Sequence, residues 1–555
     1  MSVVPKKDDD DDKILLVQGQ KIPCNQAKLC EISPFFDVLF QGEFKESRQN
    51  VVELVDHDPD VIRSIVMYSK LDDDFEITPD NLLALVVSSN MLGIDGLMAY
   101  CNDYIKDLYG PEIMLSVFLC TKFNNDITMR KHALRYTQWH FKDCMASATL
   151  VRLLFEDLLI FLQSDELRIK DEAEVFQVAF RWLQYKDPGE VDPQQMRELL
   201  LNTCRFNHVG EDFKLNILEH PVLNPYPDIR DALGRNVFSR RSPQYYPCVI
   251  ARYSETIYQP DGRCFPLWIL AFDLKRKTLV PYKPVHDNID GYSGFRAVAN
   301  GKDLYFVGGE KTIGSGRWNQ DVYKYDPITE EWTVPMSFDA QTRHHGICCD
   351  AKDERIYMVG GHGRHRLYSA ATTVIDVQTK SLLLGPEFPI MGAQAATCLL
   401  GDYVYVFKEN IFRLKFEDGG IWQTVSNIRL PANENFTHAV SDGEAIYVAG
   451  ISSPYLYKFV DKDVITEPVE GDRAVRDMER IGRFKFVVTN MCLVDRTIYN
   501  IAKQQFSDES AVESYNLNSG EFKMLWQRRS RKFFINPECS MGCFSMAIFG
   551  DLDTS

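Results

Sequence analysis

The segment Leu304-Tyr305-Phe306-Val307-Gly308-Gly309 recurs as Ile356-Tyr357-Met358-Val359-Gly360-Gly361. It returns in weaker form as Val404-Tyr405-Val406-Phe407, Ile446-Tyr447-Val448-Ala449-Gly450 and Ile498-Tyr499-Asn500-Ile501, with tyrosines 52, 48, 42 and 52 residues apart. A second apolar run precedes these cores across a short polar turn, as in His345-Gly346-Ile347-Cys348-Cys349 or Thr437-His438-Ala439-Val440. A third follows, clearest in Val322-Tyr323-Lys324-Tyr325-Asp326-Pro327, with a turn and Trp332 beyond it. Each period therefore reads as a small antiparallel meander, rich in β-branched and aromatic residues and punctuated by Gly, Asp and Pro. Such a unit cannot bury both faces alone, and radial repetition around a channel hides them. Six units are expected, the first inferred from Cys248-Val249-Ile250-Ala251 and Leu267 to Asp273. Cys543 to Ile548 would be the strand that returns to close the ring.

Before about residue 230 the texture differs. Leu153, Leu154, Leu158, Phe161 and Leu162, then Val175, Phe176, Ala179, Phe180 and Leu183, recur at three and four, which is the spacing of amphipathic helices. The opening differs again: Lys13 to Val17, a turn at Gly19, Lys21 to Cys24, the helix AKLCEISPFFDVLF, the strand Val51 to Leu54 and further helices through Ile105. The fold class is thus multidomain, with a small α/β domain at 1–110, an all-α domain at 111–230, a Pro-rich charged linker at 231–246 and an all-β propeller at 247–555.

These three parts resemble, in order, the BTB domain, the BACK domain and the kelch propeller. ISPFFDVLFQGEFKES and Leu92 to Cys101 carry the first resemblance, and LLFEDLLIFLQSDELRIKDEAEVFQVAFRWLQY with LLLNTCRFNHV the second. GFRAVANGKDLYFVGG with DVYKYDPITEEW carries the third. The resemblance implies a non-catalytic substrate adaptor of a cullin-RING ubiquitin ligase, dimeric through BTB, with the cullin scaffold on the BTB face and a protein substrate on the propeller. Phe44 and Glu46, a hydrophobic residue followed two positions on by glutamate, match the family's cullin contact. Departures are Asn25 where histidine is usual, and the short Asp-rich start where a helix and strand are usual. Asp8 to Lys13 also reads like a protease-cleavable tag. A cytoskeletal scaffold that binds actin is the alternative reading.

The family's targets bind in the connections after the Gly-Gly strands, which here hold Arg317, Trp318, His362, Arg364, His365 and Arg366. Guanidinium forks there suit acidic or phosphorylated peptides. Arg343-His344-His345 and the His362 to Arg366 run are expected as solvated loop charge. Cys348, Cys349, Cys539 and Cys543 are expected as buried, inert thiols, with a redox role through exposed thiols as the alternative. No nucleophile, phosphate-loop or metal-ligand motif stands in a recognisable context, so no cofactor and no catalysis are expected. No apolar run of membrane-spanning length appears, and Cys is sparse, so a reducing cytoplasmic setting is expected.

The whole chain of 555 residues has 62 Lys and Arg against 79 Asp and Glu, net −17. The acidity is uneven: residues 1–110 hold 10 basic and 21 acidic side chains, whereas residues 231–555 hold 38 and 40. The acidic excess argues against a nucleic-acid or membrane partner for the docking half and says little about ligands of the nearly neutral propeller.

Overall fold

The computed structural model describes residues 12–549 except 42–47, 56, 108–109, 125–126, 147–149, 151–152, 187–191, 236–237, 239–240, 242–244, 254–264, 313, 340, 351, 353, 393–394, 418–419, 426–429, 432–433, 462–477, 504–508, 530–532 and 535–541. Two compact units divide the chain, Met1–Ser242 and Pro243–Ser555.

The first unit begins with a three-stranded sheet. Lys13–Val17 pairs antiparallel with Gln20–Cys24 on one side and parallel with Val51–Leu54 on the other. Gln18 and Gly19 both take positive φ (45° and 78°), the conformation that lets a two-residue turn follow the twist of its flanking strands. Alternation buries Leu15, Val17 and Val52 on one face. The next helix, Gln26–Ile32, starts at Asn25, whose side chain accepts from the Lys28 N–H at 2.9 Å. The departure at Asn25 thus supplies a good N-cap. Ser33 then breaks the helix. Its hydroxyl donates to the Leu92 carbonyl and accepts from the Phe36 N–H, which seats helix Pro34–Gln41 with Phe36 and Phe40 inward.

Helices follow from Pro59–Lys70 to Pro227–Leu233, and one apolar core runs from Leu15 to Leu233 without interruption. Part of the expected linker is anchored into this core. Arg241 holds Glu172 by two hydrogen bonds, of 2.8 and 2.9 Å, and donates to the carbonyls of Leu162, Ser164 and Thr203. Both side chains are 6% exposed. A guanidinium with its donors so occupied repays its desolvation, but either partner alone does not.

The second unit contains six sheets among the described residues. Five are four-stranded meanders with strands in sequence order. The sixth joins both ends of the unit: Tyr245–Tyr253, Leu267–Asp273 and Thr278–Pro284 pair in order, and Cys543–Ala547 pairs antiparallel with the free side of Tyr245–Tyr253. The expected closing strand is therefore in place. The innermost strands pack in a closed cycle: Arg296–Asn300, Gly346–Asp350, Ala396–Leu400, Phe436–Ser441, Met491–Val494, Cys543–Ala547 and back to the first. This is a β-propeller. Its second strands, such as Asp303–Val307, are buried on both faces because each sheet lies between two others, which explains their continuous apolar runs. The Tyr-Asp-Pro to Trp pairing of the sequence closes the second sheet's outer hairpin. Asp326 accepts from the Ile328 N–H, and Trp332 packs 5.1 Å from the rings of both Phe306 and Tyr325.

Arg241→Met is expected to destabilise the first unit by about 3–5 kcal/mol, because it leaves Glu172 charged, buried and unpaired. Pairing it with Glu172→Met is expected to recover most of the loss. Urea unfolding of the two variants against wild type checks both outcomes.

Candidate functional site at one end of the propeller

In each meander the first strand leaves one end of the sheet and the second returns to it. The residues before the first strand and after the second therefore meet there. In two neighbouring sheets this meeting is made by isolated backbone bridges: Ser293 to Glu310 to Trp318, and Arg343 to His362 to Tyr368. The Gly-Gly pairs permit it. Gly309 and Gly361 take φ of 102° and 104°, and a Cβ on Gly361 would lie 2.4 Å from Thr342 Oγ1. Their N–H groups reach the next sheet, Gly309 to the Thr342 carbonyl at 2.9 Å and Gly361 to the Gly392 carbonyl at 2.8 Å. The second glycine of each pair thus stitches neighbouring sheets together.

The two bridged rows are joined by an ion pair. Arg343 Nε lies 3.6 Å from Glu310 Oε2, with side chains 6% and 3% exposed. Glu310 also accepts from the Gly316 N–H at 2.9 Å, which holds the loop carrying Arg317 and Trp318. The His362 ring lies 4.8 Å from Tyr368 and 5.9 Å from His344. Trp318 and His362 are thereby brought into one cluster through Glu310 and Arg343. Arg317, Arg364 and His365 stand exposed outside it, and Arg364 Nε donates to the Gln341 side chain. Arg366 falls in the turn Arg364–Arg366, with its side chain outside the described residues.

Arg343-His344-His345 is not solvated loop charge. The three residues are 5%, 9% and 0% exposed, because they lead directly into the innermost strand Gly346–Asp350 and pack against the preceding sheet's glycines. The His344 N–H donates to the Gly294 carbonyl at 2.7 Å. Burial, reinforced by the Arg296 guanidinium, lowers His344 to about 4 and His345 to about 3. Burial and then Arg343 also lower His362. Of the four cysteines weighed as thiols, Cys348 is buried, Cys349 and Cys543 are half-buried, and burial pushes all three up, Cys349 to about 12. Thiols so held are poor nucleophiles. Cys539 lies outside the described residues, as do Phe44 and Glu46.

The role of Glu310 was missed from sequence. It directly follows Gly309 as His362 follows Gly361, so superposing the two repeats position by position would have exposed it. The innermost strands enclose a channel of about 360 Å³, lined by Arg296, Thr397 and His438 together with Cys348, Cys492 and Cys543. Among the described residues no group of His, Cys, Asp or Glu is arranged to hold a metal ion, and no helix is long and apolar enough to cross a membrane.

Two family models match the first unit: BTB/POZ domain over residues 5–108, and BACK, "BTB And C-terminal Kelch", over residues 114–219. Kelch-like protein 26 of Danio rerio is 23% identical over 563 residues, 93% of this chain and 87% of that protein. A six-sheet propeller follows the two matched domains, which is the BTB-BACK-kelch order of domains. The chain is a BTB-BACK-kelch protein. Kelch-like protein 7 of Rattus norvegicus is 24% identical over 218 residues, 39% of this chain, and Kelch-like protein 17 of Homo sapiens 25% identical over 224 residues, 40% of this chain. These two matches span 36% and 34% of the relatives' own lengths.

The lowered histidines link this end of the kelch propeller to stability. In the folded protein His344 and His345 stay neutral below the pH at which the unfolded chain takes up protons, near 6.5. The stability they contribute is therefore complete above about pH 6.5 and is lost as pH falls toward their folded values of about 4 and about 3. Urea midpoints of wild type are expected to fall across that window, and His345→Gln is expected to flatten the fall.

Proposed function

We propose that this chain is a substrate-recognition adaptor of a cullin-RING ubiquitin ligase. The BTB and BACK domains dock the cullin, and the kelch propeller holds a protein substrate for ubiquitination. The observation that carries this reading is the joining of a BTB-BACK half to a closed propeller whose loops converge at one end on Arg317, Trp318, His362 and Arg364. An adaptor of this kind accelerates transfer by raising the effective concentration of substrate beside the ubiquitin-loaded partner, so it needs no catalytic group of its own. The exposed arginines suit acidic or phosphorylated segments of the substrate.

Phe44 and Glu46 are the proposed cullin contacts, an apolar anchor beside a carboxylate. Phe35 and Val38 on helix Pro34–Gln41, just before them, are 40% and 55% exposed, which makes this edge of the BTB domain partly apolar. Co-purification of cullin with the full chain is expected to be lost in Phe44→Ala with Glu46→Lys, with substrate capture by the propeller retained. Retention of cullin in that variant would overturn the assignment. Filament co-sedimentation that survives the same changes would favour the actin scaffold.

A further inference from the structure

Val307, Val359, Phe407 and Ala449 hold the same place in four successive second strands, each two residues after the recurring tyrosine. Their partners on the innermost strands are Arg296, Gly346, Ala396 and His438. These four residues therefore stand at one level of the channel wall, on the second to fifth sheets. In a closed ring of six the second sheet faces the fifth, so Arg296 and His438 lie opposite each other. Gly346 and Ala396, on the sheets between, leave room at that level.

Arg296 extends across this room. Its Nε donates to the His345 carbonyl on the third sheet at 3.2 Å. Its charge is felt on the fifth sheet as well: burial, and after it Arg296, lowers His438 to about 3. His438 is nevertheless only half-buried, and the surface it keeps lines the channel. A guanidinium that touches the third sheet and acts on the fifth lies along the channel rather than inside one seam.

The charge of the wall can be counted. Among the described residues lining this cavity of about 360 Å³ none is Asp or Glu. Burial keeps His345 neutral, at about 3, and pushes the thiols of Cys348, Cys349, Cys398 and Cys543 up, so they stay neutral too. Arg296 thus gives the lining one positive charge. The rest is hydroxyl, thiol and hydrocarbon, including Thr397, Leu399, Leu493 and Phe544. A mostly apolar cavity of this size with one fixed charged group has the make-up of a small-molecule site. One guanidinium balances one negative charge and matches the fork of a carboxylate. A dianion such as phosphate would bring a second charge into a wall that cannot answer it.

We infer that the propeller channel binds a small organic monocarboxylate, with its carboxylate on Arg296 and its apolar body against the hydrocarbon and thiol wall. The lining draws on all six sheets, the closing strand Cys543–Ala547 included. A bound molecule therefore ties the closing strand to the other innermost strands and stabilises the closed ring by mass action. This site is separate from the loops proposed to hold the protein substrate and does not depend on that reading.

The test uses the full chain with butyrate, benzoate, butyramide and inorganic phosphate as probes at matched ionic strength. Butyrate and benzoate are expected to raise the thermal unfolding midpoint saturably and to slow hydrogen exchange in the innermost strands, Arg296–Asn300, Phe436–Ser441 and Cys543–Ala547 among them. Butyramide, which has the shape without the charge, and phosphate are expected to do neither. Arg296→Met is expected to weaken butyrate binding about tenfold or more, and Arg296→Lys, which keeps the charge, to weaken it less. The inference is overturned if neither carboxylate acts saturably on the wild type, or if butyramide or phosphate acts as strongly. Protection confined to other segments, or undiminished butyrate binding in folded Arg296→Met, overturns it equally. Circular dichroism reports whether Arg296→Met folds; if it does not, the wild-type exchange pattern and the butyramide control decide.

Discussion

The pairing of Cys543–Ala547 with Tyr245–Tyr253 is the interaction on which the second unit depends. Five of the six sheets take all their strands from consecutive sequence, so each could form locally. The first sheet cannot, because its innermost strand arrives from the other end of the unit. Without it, the innermost strands of the sheets on either side would lose a neighbour, and Tyr245–Tyr253 would present an open edge. Closure therefore carries a loop-closure cost over about three hundred residues, which grows only slowly with length. In return it buries Phe544 and Met546 in one core, beside Tyr246, Cys248 and Phe295.

The Gly-Gly pairs extend the same logic to the seams between sheets. Gly309 and Gly361 each donate across a seam, and the donation requires a backbone conformation and a closeness that side chains forbid. This is why the repeat was legible in the second and third periods and fades in the fourth. There Phe407 is followed by Lys408, and the Lys408 N–H turns back to the Asn410 carbonyl within its own hairpin. The strand cores stayed readable throughout because burial on both faces demands continuous apolar runs whatever the seam does.

Other features were not legible, for one physical reason: they depend on contacts between residues far apart in sequence. The Pro and charge density of 231–246 reads as a linker. Arg241 is nevertheless drawn into a helical core by Glu172 and by carbonyls 38 to 79 residues away. Arg343-His344-His345 likewise reads as a solvated run until the neighbouring sheet is laid over it. Charge and polarity in sequence report what a residue would prefer when exposed. They do not report which exposed positions a distant segment will cover, and at both places the covering segment supplies partners that make burial tolerable. The site residues divide on the same line: Arg317 and Arg364 stand in solvent as their loops suggest, whereas Trp318 and His362 acquire their setting from Glu310 and Arg343.

The uneven charge of the chain bears on how two kinds of partner can be told apart. Residues 1–230 carry most of the net negative charge, so a basic partner surface would be drawn to this half by long-range attraction that weakens with salt. The propeller is nearly neutral overall, and at one end the buried Arg343 and Glu310 pair with each other. Exposed Arg317 and Arg364 are therefore local charge on a nearly neutral background, and their attraction is screened within a Debye length.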